Sequence, residues 1–384
     1  MGKANCPVKT KLVRIDDVLV YKNKDSYVHN PVVELLQDGE MVCVFREAAR
    51  RRVRTHIDMT SKAVLVRSKD GGRNWAPATR QVIYEEKRCG IQDPSIRQLK
   101  DGTLICNYFV WTVGGAEDFP VNHAWLQTSD AEHYSWVTGS YTIRSLDNGK
   151  TWESPVRVPS LTGDCTATAD PVIELANGEL LIPIEMEAAG ERTKTGVARS
   201  RDKGRSWGEP TIAAADPLCR FSFHETGLLQ LPSGKIIAIH RVHQAGEYEY
   251  GWYLYQTDSH DNGRTWTTPR KLPMWGGPAN LIRLQSGSIL CVYGYRRPPY
   301  GSRACLSHDD GETWDIANEF ILRADGIDAD VGYPTSVQLR DGAIFTAWYQ
   351  SEPDQEQKPA GVKFSIFAYD RPLTYIGGTF YREA

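Results

Sequence analysis

Tyr333, Glu225, Asp93 and Asn30 each stand nine residues before the glycine of a short Asp/Asn/Ser-Gly turn, and Arg46, Glu185, Arg241 and Tyr349 each stand seven residues after such a glycine. At the same backward offset Ala169 is followed by Asp170, and Pro278 fills the remaining place. Carboxylates, phenols and guanidinium groups are the side chains that bind an anion and move protons. Their recurrence at fixed offsets means that some repeated element brings them to one place, and polar groups converging in a concavity are the first hypothesis for a site.

That element is a hairpin. An apolar run, an Asp/Asn/Ser-Gly turn and a second apolar run recur six times, at Val32–Phe45, Ile96–Phe109, Val172–Ile184, Leu228–His240, Leu281–Tyr293 and Val337–Trp348. Such Val-, Ile- and Leu-rich runs read as strands buried on both faces. Between them the pattern S-x-D-x-G-x-x-W occurs five times, at Ser68–Trp75, Ser145–Trp152, Ser200–Trp207, Ser259–Trp266 and Ser307–Trp314. Each copy reads as a tight turn in which Asp accepts bonds from its own backbone, Gly takes a positive φ and Trp packs beneath. A third strand leads into each of these turns and a fourth leaves it. Four antiparallel strands repeated six times predict an all-β fold, a six-bladed propeller occupying 1–384 as one domain. The sixth unit lacks the signature turn, with its third strand expected at Val362–Asp370, and Lys11–Tyr21 is expected to close the ring as that blade's outer strand. Alternating strand direction then puts all the turns on one face. The starts of first strands and the ends of second strands meet on the other, around the central channel.

Composition excludes several classes. A formal charge of −3, with no basic run among aromatics, gives no support for nucleic-acid binding. The eight cysteines form no C-x-x-C pair or zinc spacing, and one acid per turn is too few for a calcium cage, so no metal and no cofactor is expected. No apolar stretch is long enough to span a bilayer, and the N-terminus has no signal-type apolar region, so no membrane association is expected. The expectation is a cytoplasmic protein, or a secreted or periplasmic one if a leader has been removed.

The eight-residue turn resembles the Asp-box of the sialidase (neuraminidase) superfamily, and the resemblance extends over nearly the whole chain. The Asp-box is specific for the fold and silent about activity. The segment DADVGYPTSVQLRDGAIFTAWYQ, Asp328–Gln350, is similar to the family's nucleophile segment and implies that role for Tyr333. FHETGLLQLPSGKIIAIHR, Phe223–Arg241, implies Glu225 as the partner of that tyrosine and Arg241 as the second arginine of a carboxylate-binding triad. Arg303 is implied as the third arginine, Asp58 as the general acid/base, and Arg46 resembles a family arginine ending a strand of the first blade. The first arginine departs from the pattern: the family's Arg-Ile-Pro is His29-Asn30-Pro31 here, and the Glu that steadies that arginine is Gln350. Neutral His cannot grip a carboxylate as a planar guanidinium does, so a changed pocket is implied.

The expected activity is that of a retaining exo-glycosidase acting on a terminal acidic sugar, sialic-acid-like or uronic, with an acidic glycan as its partner. A free phenol with a pKa of about 10 is a poor nucleophile at neutral pH. Glu225 would take its proton, Arg241 and Arg303 would stabilise the phenolate, and Asp58 would protonate the leaving oxygen. Arg46, His29, His56, Asp93, Asp170 and Gln350 complete the expected substrate-binding set. His29, His56, His123, His224, His240 and His243 fall in segments near the expected mouth, which keeps open a lyase acting by His/Tyr β-elimination on a uronate. A non-catalytic, glycan-binding propeller carrying Trp111, Trp125, Trp252 and Trp275 is a third reading.

Overall fold

The computed structural model of the chain describes residues 10–51, 57–87, 89–115, 126–128, 134–162, 166–188, 190–244, 252–353 and 373–384. These residues form six antiparallel sheets in succession, each built around four strands, and among the described residues the one helical element is a 3-10 turn at Ile316–Asn318. Blade one is Ser26–Leu35, Met41–Ala49, Lys62–Ser68 and Ala76–Glu85. Blade four is Phe221–Gln230, Ile236–Gln244, Trp252–Ser259 and Arg270–Gly276, and blade five is Ala279–Arg283, Ile289–Tyr295, Tyr300–Ser307 and Phe320–Gly326. Blades two and three follow the same order, except that the innermost strand of blade three is broken into Thr166–Ala167 and Ile173–Glu174.

The sixth blade corrects one expectation. Its third strand is Leu373–Glu383, which pairs with Ile344–Glu352 from Ile344↔Tyr381 to Glu352↔Leu373. The segment Val362–Asp370, expected in that role, lies outside the described residues. Leu12–Lys22 pairs with Leu373–Glu383 as the outer strand, so the N-terminal part of the chain joins the ring to its C-terminal end. That closure removes a sheet edge that would otherwise be open.

What holds the ring is apolar packing between faces of neighbouring blades. Six buried clusters fill the six interfaces: one joins blades one and two through Val44, Leu65, Ile96 and Tyr108, another joins blades six and one through Phe45, Val66, Phe345 and Phe380. A strand buried on both faces needs no polar alternation, which is why the hairpin runs read as continuous Val, Ile and Leu. The Asp-box turns add a repeated clasp. In the fourth copy Asp261 accepts from Thr265 N at 2.9 Å and Thr265 Oγ1 at 2.6 Å, while Gly263 N donates to Ser259 Oγ at 2.8 Å. The residue before the box glycine is also left-handed, as at Asn148 (φ 62), Lys203 (φ 60) and Asn262 (φ 61), which presents its carbonyl to the preceding blade. Arg67 Nη2 donates to Asn148 O at 2.6 Å, Arg144 Nη1 to Lys203 O at 3.2 Å, and Arg199 to Asn262 O in the same way.

In blade six the rings of Phe345 and Trp348 lie directly on Gly378 and Gly377, where any Cβ would run into them. Gly378→Ala is therefore expected to cost about 1–3 kcal/mol through overpacking, read from the urea midpoint. An unchanged midpoint would show that the ring does not pack there.

Candidate active site

At the channel end of blades one, two, four and six, the first strand carries one residue more than its partner. The register shifts fall between His29 and Val32, Gln92 and Ser95, Phe223 and Thr226, and Gly332 and Thr335. Bulges of this kind re-aim a side chain. In three of them the backbone is left-handed, at Asn30 (φ 54), Asp93 (φ 47) and Tyr333 (φ 45). Each of these residues precedes a proline, which disfavours the right-handed helical region. A left-handed non-glycine residue carries strain that persists only where its surroundings over-determine it.

The bulges of blades four and six place Tyr333 against Glu225. Tyr333 Oη donates to Glu225 Oε1 at 2.6 Å, and Arg241 Nη1 donates to the same oxygen at 2.8 Å. Glu225 is 9% exposed and Arg241 7%. Gly277 makes room for the arginine stem, since a Cβ there would lie 2.9 Å from Arg241 Cγ. Burial pushes the Glu225 carboxyl up, but Arg241 first, then His224, the Tyr333 hydrogen bond and Arg296, bring it well below the ordinary carboxylate range. The Tyr333 phenol is raised well above its usual value by burial and by the charges of Glu225 and Asp93, which Arg241 and Arg296 oppose. At neutral pH the pair is a neutral phenol donating to an ionised carboxylate.

Arg296 is the site residue that sequence reasoning missed. Its guanidinium carbon lies 5.3 Å from the centre of the Tyr333 ring, and it follows the second strand of blade five in Gly294-Tyr295-Arg296-Arg297. The available signal was that arginine pair two residues beyond the forward offset, which itself falls on Gly294. Arg303, expected here, is elsewhere. Its guanidinium stacks on Tyr295 at 4.1 Å, donates to the carbonyls of Ser302, Pro299 and Arg323, and lies 3.8 Å from Glu319. Those partners belong to blade five, so Arg303 serves its own sheet.

Blades two and three supply a wall of acids. Asp93, Asp170 and Glu185 are all buried, and burial, followed by the charge of Glu225, raises each carboxyl well above its ordinary value. Like charges crowded in a poorly solvated space cannot all ionise, and here the one beside Arg241 does. His224 Nδ1 lies 3.0 Å from Glu185 Oε2 and its ring centre 4.4 Å from that of His243. Burial, with a smaller contribution from Arg241, lowers the His224 pKa to about 4. Around this pit several buried polar atoms have no hydrogen-bond partner among the described residues: Gln92 Oε1, Asp170 Oδ2, Glu225 Oε2, Arg241 Nε, His243 Nε2 and Arg296 Nε. Buried polar groups are rarely left unpaired, so this concentration marks a place built for a polar ligand.

The remaining expected residues are placed as follows. His29 is fully buried; its Nε2 lies 2.6 Å from Arg46 Nη1 and its Nδ1 2.5 Å from Asn30 Oδ1. Arg46, also fully buried, donates to Ser61 Oγ at 2.9 Å and lies 5.5 Å from the Tyr27 ring centre. Asp58 is 8% exposed and is held by Arg51 Nε at 2.9 Å and by Thr60 N and Oγ1 at 2.8 and 2.7 Å. Burial raises its carboxyl, but these bonds outweigh it and leave the group below its ordinary value, the wrong direction for a proton donor. Gln350 donates to Tyr375 Oη at 2.8 Å; it is the adjacent Tyr349 that neighbours His29 and bonds Asp330 at 2.7 Å. His240 is fully buried among Thr195 of blade three and Thr226 and Thr257 of blade four, which engage both its ring nitrogens. Trp111 is buried in a small cluster, and Trp275 sits beneath Arg297 at 4.3 Å. His56, His123 and Trp125 lie outside the described residues. Among the described residues no three His, Cys, Asp or Glu side chains are grouped to hold a metal ion, and no helix is long and apolar enough to cross a membrane.

Asp-box turns on a six-bladed ring, with a buried Tyr–Glu–Arg constellation in the channel, define a propeller of the sialidase type. The chain belongs to the BNR repeat-like domain family, whose model matches residues 132–346. It is 24% identical over 306 residues to a sialidase of Clostridium perfringens, a match covering 78% of this chain and 64% of that protein, so the chain spans less than two thirds of that relative. A solved protein of unknown function from Dyadobacter fermentans is similar at 26% identity and TM-score 0.81, covering 97% of this chain and all of the other. The intramolecular trans-sialidase of Ruminococcus gnavus, solved with oseltamivir carboxylate, shares the fold at 13% identity and TM-score 0.65, covering 94% and 96% of the two chains.

His224 is expected to titrate with a midpoint near pH 4 in a ¹⁵N-resolved NMR titration, remaining neutral at pH 7. A midpoint at the ordinary value of about 6.5 would show that neither burial nor Arg241 governs it.

Proposed function

We propose that the chain is a glycoside hydrolase that releases a terminal acidic sugar with retention, using Tyr333 as nucleophile. The observation that carries this reading is the shared oxygen: Glu225 Oε1 accepts from Tyr333 at 2.6 Å and from Arg241 at 2.8 Å. As Tyr333 Oη bonds to the anomeric carbon, its proton passes to Glu225 along a hydrogen bond already made, and the sugar–oxygen bond to the leaving group breaks. Water then attacks the same carbon, giving a proton back to the acid that protonated the leaving oxygen, and the tyrosine oxygen leaves and regains its proton from Glu225. Arg241 and Arg296 oppose the negative charge on the phenol while it is an entering or leaving group. A neutral nucleophile suits an anionic sugar, which a carboxylate would repel. Arg241 Nε and Arg296 Nε, which have no hydrogen-bond partner among the described residues, are donors for a sugar carboxylate, and Gln92 Oε1 is an acceptor for a hydroxyl across the pit. His29 contributes nothing to that grip, because its ring is committed to Arg46 and Asn30.

A second reading, β-elimination at a uronate, is favoured by the neutral His224 imidazole that Glu185 orients. The screen that separates the two uses aryl glycosides and acidic oligosaccharides, with reducing-end detection alongside near-ultraviolet absorbance. Hydrolysis gives a new reducing end and no absorbing double bond. On a substrate cleaved by the wild type, Tyr333→Phe and Glu225→Gln are each expected to lower kcat/KM by on the order of 10³-fold or more. Near-normal rates in either variant would remove the tyrosine mechanism, and an absorbing product would favour the lyase.

A further inference from the structure

We infer that Asp93 is the acid that protonates the leaving oxygen, with its Oδ1 engaged, and Oδ2 left for the proton, by a hydrogen-bond chain of fixed polarity running from Arg46. This rests on the hydrolase reading above. Hydrolysis needs a carboxylic acid at the channel, and Asp58 is bound as a carboxylate by Arg51 and Thr60.

The chain's polarity follows from Arg46, which has only donors. Arg46 Nη1 donates to His29 Nε2 at 2.6 Å, so the His29 proton resides on Nδ1. His29 Nδ1 then donates to Asn30 Oδ1 at 2.5 Å. With its oxygen so engaged, the Asn30 amide can turn only its nitrogen toward blade two, and Nδ2 donates to Asp93 Oδ1. That oxygen is therefore an acceptor, the role the carbonyl oxygen of a carboxylic acid fills best, so a proton on Asp93 is favoured on Oδ2. The left-handed bulges at Asn30 and Asp93 bring the last two members together across the blade interface. Burial first, then the charge of Glu225, raises the Asp93 carboxyl well above its ordinary value, with Arg46 and Arg241 opposing.

In the first step the Asp93 Oδ2 proton passes to the glycosidic oxygen as its bond to the anomeric carbon breaks and the Tyr333 bond forms. In the second, the resulting carboxylate takes a proton from the attacking water as the Tyr333 bond breaks. Each turnover thus returns Asp93 to its protonated form.

The test compares two leaving groups on one sugar, using 4-methylumbelliferyl and methyl glycosides of N-acetylneuraminic, glucuronic and galacturonic acids. Asp93→Asn is expected to lose on the order of 10³-fold in kcat/KM on the methyl glycoside and within about tenfold on the aryl glycoside, whose leaving phenol needs no acid. Asp58→Asn is expected to stay within about tenfold on both. Asn30→Leu removes one hydrogen bond to the Asp93 carboxylate, so the basic limb of the pH profile should move upward while Glu225, Glu185, Asp170, Arg46 and Arg241 still face the group. Should Asp93→Asn not fold, Asp93→Glu, which keeps the proton and displaces it, should show the same contrast between substrates. Equal losses on both substrates, or the contrast appearing in Asp58→Asn, would overturn the assignment. An active Asp93→Asn beside an inactive Tyr333→Phe would overturn it alone and leave the hydrolase reading standing. If the wild type cleaves no probe, both fall.

Discussion

An ionised carboxylate with little access to water is the constraint on which the site depends. Taking such a charge out of solvent is costly unless it is paired and hydrogen-bonded. Glu225 meets that requirement with one guanidinium and one phenol on a single oxygen. Burial first, and then the Glu225 charge, raises Tyr333, Asp93, Asp170 and Glu185 well above their ordinary values. Burial and one buried charge thus act together on the ionisable groups of the channel mouth. Such divergent titration is where acid and base roles become distinguishable.

The propeller makes this arrangement mechanically cheap. Apolar faces and Asp-box clasps hold the blades, so the inner ends of the first strands are free to bulge without loss of core packing. No single blade contains the site. Tyr333 comes from the sixth, Glu225 and Arg241 from the fourth, Arg296 from the fifth, and the acid wall from the second and third. At the position where the Asp-box resemblance implies an arginine stands His29, buried with Arg46 as its partner. Hydrogen bonds through His29 and Asn30 link Arg46 to Asp93.

Most of the fold was legible because it repeats. Turn glycines and Asp-boxes mark the ends of strands, and offsets from them led to Tyr333, Glu225, Arg241 and Asp93 without any structure. What the offsets do not encode is the direction of a side chain once a strand has ended or bulged. Arg303 lies where the pairing of the third and fourth strands of blade five shifts register, and it turns to Glu319 and its own blade's carbonyls. Arg296, beyond the strand end, turns to Tyr333 instead. Asp58 illustrates a second limit, since its neutralising partner Arg51 is not marked by any motif. Gln350 and Tyr349 illustrate a third: strand alternation sends neighbours to opposite faces, and a one-residue choice decides which of them meets His29.

The most direct measurement of the central claim is peptide mass spectrometry after trapping with an activated fluorosugar of the cleaved class. The account predicts a glycosyl mass on the peptide carrying Tyr333, localised to the tyrosine by fragmentation. A glycosyl mass on Glu225 or Glu185 would contradict it, because a carboxylate would then be the nucleophile and the phenol only its neighbour.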